Sequence, residues 1–104
     1  MRKSDLSPTR QRLLEICQEL GFGRIENLRI IGGEPALEPP PRILRDVVFG
    51  KHNGPRSERE ADDFILKTHA VEFFACLDEM RDGLIEVLTV KHGLPFHMSV
   101  PVPA

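Results

Sequence analysis

The sequence predicts an α+β domain in the order helix–β–β–helix–β–β, a four-stranded antiparallel or mixed sheet packed with two helices. Three observations lead there. Two segments, "LSPTRQRLLEICQELGFG" and "PRSEREADDFILKTHAVEFFACLDEMRDG", carry apolar residues at helical spacing. Each is followed by two short runs rich in β-branched residues. Turn residues separate every run from the next. The chain has 104 residues, the size of one domain, so residues 1–104 read as a single unit without an internal repeat.

The first helix has both ends marked. Ser7 suits the N-cap, Pro8 the first helical position and Gly21 the left-handed C′ position. Leu13, Ile16, Cys17 and Leu20 fall on one stripe, with Leu14 just outside it. Residues 1–6 read as a flexible lead.

"RIENLRII" and "RILRDVVF" read as paired strands. Between them, residues 32–41 form a proline-rich hairpin loop in which Pro35, Pro39, Pro40 and Pro41 limit the freedom of the unfolded chain. That stiffening suits a spacer between strands better than a tether.

The second helix opens on a capping box, Ser57 with Glu60, and stops at Gly83. Leu66, Ala70, Phe73, Leu77 and Met80 make its main apolar seam. Phe64, Val71 and Ala75 make a narrower stripe opposite, so this helix asks for two partners. "LIEVLTVKHGLPFHMSVPV" then folds back at His92-Gly93 with Lys91 opposite Leu94. Uninterrupted alternation sets Ile85, Val87 and Thr89 on one face with Phe96, Met98 and Val100. It leaves Leu84, Leu88 and Val90 on the reverse. Pro95, Pro101 and Pro103 put the last strand at a sheet edge.

Composition removes several function classes. Leu, Ile, Val and Phe make up 32 of the 104 residues, enough to build a core, where chains below roughly 20% tend to stay disordered. Trp and Tyr are absent, and the net charge is −2, neither of which suits a dedicated nucleic-acid binder. No apolar run approaches the roughly 20 residues that span a bilayer. Two cysteines make no disulfide framework, which points to a reducing, cytoplasmic setting.

Candidate chemistry is sparse. The loop "GKHNGPRS" joins a strand to a helix start, and its Lys51, His52 and Arg56 form the best anion-binding candidate, although no phosphate-loop pattern is present. His97 sits diagonal to Glu86, but catalytic zinc takes three protein ligands. Cys17 and Cys76 lie among apolar residues, as small buried hydrophobes do. No nucleophile elbow or paired catalytic carboxylate emerges, so no catalytic residue, metal or cofactor is assigned. The opening "LSPTRQRLLEIC" resembles the first helix of winged-helix regulators of the ferric-uptake type. The strand-like "GFGRIENLRII" follows where that family has a second helix, and nothing is carried over.

The expectation is therefore a small, non-enzymatic, cytoplasmic interaction module with a homo-oligomeric or protein partner and no membrane contact. Its interface residues are Phe64, Val71, Ala75, Leu84, Leu88 and Val90, apolar side chains in excess of what one small chain hides. The alternative is an anion or nucleic-acid binder built on residues 50–57.

Overall fold

A computed structural model describes residues 3–47, 49 and 68–102. A 3-10 turn, Lys3–Asp5, leads into α1 (Pro8–Leu20), then β1 (Gly23–Ile31), β2 (Glu34–Ala36) and β3 (Arg42–Arg45). After these come α2 (Thr68–Met80), β4 (Gly83–Lys91) and β5 (Leu94–Ser99). All pairings are antiparallel, in the order β2–β1–β4–β5, and β3 lies on the same edge of β1 as an interrupted continuation of β2. The class is the expected α+β, with five strands among the described residues where four were expected.

Local chemistry accounts for the first helix. Ser7 Oγ accepts from Arg10 N at 3.4 Å, Pro8 stands at the start, and Gly21 with φ 75° lets its N–H reach Cys17 O. Leu13, Leu14, Cys17 and Leu20 are buried, so Leu14 belongs to the stripe while Ile16 is half-buried. Leu6 also lies in the core, and the expected flexibility of residues 1–6 does not extend to it.

The first hairpin is tighter than expected. Gly32 and Gly33, with φ 59° and 79°, make a two-residue turn of the kind that matches strand twist. Residues 34–36 therefore pair at once with residues 29–31, inside what the sequence suggests is loop. The proline run is a detour in a paired strand: residues 37–41 leave the ladder, the Glu38-Pro39 peptide is cis, and the chain returns as β3.

A repeat runs through the chain, contrary to the expectation of none. Adding 60 to the residue numbers carries Pro8–Leu20 onto Thr68–Met80 and Gly23–Ile31 onto Gly83–Lys91. The same shift carries the pair Gly23↔Val90 onto Gly83↔Ile30, and Ile25↔Leu88 onto Ile85↔Leu28. A pseudo-two-fold axis therefore passes through the middle of the β1–β4 ladder. Identical residues at this shift include Gly23/Gly83, Ile25/Ile85, Leu28/Leu88, Gly33/Gly93 and Pro35/Pro95.

The halves interlock at both ends of that ladder. Gly33 N donates to Arg81 O at 2.7 Å, and Gly93 N donates to Gly21 O at 2.9 Å. Each hairpin turn thus docks on the C-terminus of the other half's helix, satisfying a carbonyl there. A Cβ on Gly33 would lie 3.4 Å from Leu77 O, and one on Gly93 would lie 3.4 Å from Gln18 Cα. Arg10 adds a polar clamp at one end only. Its Nη2 reaches Gly33 O at 2.7 Å and Asp78 Oδ1 at 2.6 Å, over the ring of Phe74.

Both helices lie on one face of the sheet and enclose a core of Leu13, Leu14, Cys17, Ile25, Leu28, Ile30, Ala70, Phe73, Phe74, Leu77, Ile85, Leu88 and Val90. Strict alternation would not place all of these strand residues on one face. The β1–β4 ladder skips a step at Asn27 and Glu86, and Asn27 takes φ 59°. That irregularity changes the phase of the pleat, so residues three apart, Ile25 with Leu28 and Ile85 with Leu88, point the same way.

Two outcomes follow. Gly33→Ala and Gly93→Ala should each lower stability by about 1–3 kcal/mol, because both force a side chain into left-handed backbone against the opposite helix. Denaturant unfolding of each variant would show similar losses; a neutral effect at either glycine would contradict reciprocal docking. The second concerns Glu34. Burial raises its pKa, but hydrogen bonds from Ser7 and Thr9 and the charge of Arg10 outweigh this and hold it below the ordinary 4.5. Its folded pKa is depressed, so its contribution is complete above the unfolded value and lost as pH falls through the folded one. Thermal unfolding below pH 4.5 should therefore fall less steeply for Glu34→Gln than for the parent; equal slopes would count against this network.

Candidate interaction surface

With both helices on one side, no helix among the described residues covers the other face of the sheet. Directly paired residues share a face, and the register gives two rows across it: Arg42, Glu26, Val87, Ser99 and Leu44, Arg24, Thr89, His97. Arg29 opposite Leu84 begins a third. Leu44, Leu84 and Val87 are half-buried, while Arg24, Arg29 and Arg42 are exposed. Arg42 Nε lies 3.8 Å from Glu26 Oε1. The face is a small apolar strip bordered by arginines on the β1–β3 side.

The expected interface residues divide. Leu88 and Val90 are 1% exposed and belong to the core, so they are unavailable to a partner. The phase change at residue 86 turns them toward the helices and turns Val87 and Thr89 outward beside Leu84. Val71 is half-buried against the core and Ala75 is exposed on α2. Phe64 lies outside the described residues, as do Lys51, His52 and Arg56 of the anion-binding candidate and the Ser57 capping box.

A second departure sits in β5. Val90 pairs with Pro95 and Thr89 with His97, so Phe96 is an extra residue between them. Its ring stacks on His69 at 5.3 Å and receives Lys91 Nζ at 4.7 Å. His97 faces Thr89 and not Glu86. His92 meets Phe22 edge-on at 4.9 Å. His69 and His97 line one small pocket beside Phe96, while His92 stands apart, and the described residues hold no group of three or more His, Cys, Asp or Glu that fits a metal.

Sequence reasoning missed a cleft of about 390 Å³ between α1 and the proline detour, with Ile16, Leu20, Leu37 and Ile43 among its lining residues. At its end Arg45 donates to Leu20 O and Glu19 O, each at 3.3 Å. A cation thereby meets the negative end of the helix dipole. The signal was present as the pairing of Ile43 and Arg45 two residues apart after the prolines, but only the β1–β3 register shows what they face.

The two thiols differ. Burial pushes Cys17 up to about 12, whereas Cys76 is exposed, against the expectation that both are covered. A thiol reagent should modify Cys76 alone in the native protein and reach Cys17 only on unfolding; rapid modification of both would contradict this packing.

Among the described residues no helix is long and apolar enough to cross a membrane. Comparisons of the chain with protein-family models, curated proteins and solved structures find no match.

Proposed function

We propose that the protein is a small non-enzymatic interaction module that self-associates, two copies packing through the uncovered faces of their sheets. The observation that supports this is the one-sided placement of α1 and α2, which leaves the half-buried Leu44, Leu84 and Val87 on a face that no helix among the described residues covers. Sheets commonly bury such a face against another sheet about 10 Å away. The face also carries both signs of charge: Arg24, Arg29 and Arg42 with Glu26. In a second copy related by a two-fold axis an arginine of one faces Glu26 of the other, a self-complementary arrangement of the kind an isologous contact uses. Free thiols, one of them exposed, suit a reducing compartment such as the cytoplasm.

Size-exclusion chromatography with light scattering tests this. At tens of micromolar the parent should run at twice the 11.8 kDa chain mass. Val87→Lys, opposite Glu26, should keep the fold and return the single-chain mass, because a dimer would bury its ammonium. A parent that stays at 11.8 kDa at every concentration would end the self-association reading.

A further inference from the structure

The two halves differ at one place that the pseudo-symmetry makes comparable. In the first half, the outer edge of β1 at residues 23–26 is paired with β3. In the second half, β5 covers β4 only from Val87 onward, and no strand among the described residues pairs with the outer edge at residues 83–86. Beyond Ser99 the chain runs through residues 100–102 outside the ladder. Pro101 there has no N–H to offer.

The glycines at these equivalent places point to what belongs in the gap. Gly23 has a clear reason to be glycine: a Cβ would sit 2.1 Å from Leu44 O of β3, so only a bare backbone admits that strand. Gly83 is also glycine, yet it is not in left-handed backbone, and a Cβ there would meet only the Met80 side chain, at 3.0 Å. That thioether is flexible and yields. Nothing in the described chain requires glycine at 83; an incoming backbone would.

The chemistry of the occupant follows from its counterpart. In the filled slot Arg42 faces Glu26, Ile43 faces Ile25, Leu44 faces Arg24 and Arg45 faces Gly23. Arg45 also reaches the carbonyls of Glu19 and Leu20 at the end of α1. The corresponding slot on β4, unpaired among the described residues, offers Glu86, Ile85, Leu84 and Gly83 in the same order, beside the equivalent α2 end at Glu79 and Met80. Leu84 replaces Arg24, so the third position favours an apolar side chain more strongly. Glu79 and Glu86 are exposed and Asp82 follows the same helix end, so the rim attracts basic residues.

We infer that the outer edge of β4 at residues 83–86 binds an extended segment of a partner protein with a basic–apolar–apolar–basic pattern, added antiparallel as β3 is added to β1. Main-chain bonds hold the segment, and its last basic residue caps α2. The site is on the sheet edge and does not depend on self-association through the sheet face.

The test uses full-length protein and a fluorescein-labelled peptide of residues 40–47, PPRILRDV, followed by anisotropy. Saturable binding is expected, with the Val87→Lys variant binding as well as the parent. Gly83→Val should weaken it at least about tenfold, a loss of roughly 1.4 kcal/mol. Replacing both peptide arginines by glutamate should abolish it. Since a valine at 83 could also perturb the fold, peptides N-methylated at Ile43 or at Leu44 are titrated against the parent; one should lose binding and the other keep it, because alternate residues point their N–H toward β4. Absence of saturable binding, or equal affinity of the two methylated peptides, would overturn the inference.

Discussion

The antiparallel ladder between β1 and β4 is the contact on which the rest of the molecule depends. It joins two αββ halves, neither of which can bury its own hairpin and helix alone, since a two-stranded hairpin is marginal in water. The hairpin turns extend that contact beyond the strands. Gly33 and Gly93 each donate to the C-terminal end of the opposite helix, so breaking the ladder would also strip both helices of a capping partner. Arg10 and Asp82 add contacts at one end: the first bridges Gly33 O and Asp78, and the second accepts from Gly32 N at 2.8 Å.

The same arrangement determines which surfaces remain for function. Several positions that are identical between the halves are core residues or turn glycines, such as Ile25 with Ile85, Leu28 with Leu88 and Gly33 with Gly93. The uncovered face differs instead: Arg24 corresponds to Leu84 and Arg29 to Thr89. One half therefore presents arginines and the other presents apolar and neutral groups. The proline detour makes a further difference, because residues 37–41 let the chain return as β3, while β5 passes straight into residues 100–102. Symmetry built the framework, and the departures from it supply the distinct surfaces.

Much of the fold was legible from local chemistry. The caps of α1, the turn at His92-Gly93 and the pairing of Lys91 with Leu94 all follow from short-range preferences. The face assignment of β4 did not. It rests on the phase of the pleat, and a one-residue irregularity at Asn27 and Glu86 reverses it. Leu88 and Val90 consequently moved from candidate interface to core, taking part of the apolar surplus with them. The early turn at Gly32-Gly33 was masked by the stronger signal of the prolines that follow. The repeat was present in the residue types at a shift of 60, for instance Gly23-x-Ile25-Glu26 against Gly83-x-Ile85-Glu86, but its helices share almost no identities. In a helix many apolar residues satisfy the same buried position.

Native-state hydrogen exchange tests the central claim most directly. If β1 and β4 form one ladder shared by interdependent halves, the amides of residues 25–30 and 85–90 that bond across it should be the slowest to exchange and should open with the same free energy, that of global unfolding. If one half keeps its protection under conditions where the other has exchanged, the halves are separate units, and an account built on their mutual dependence is wrong.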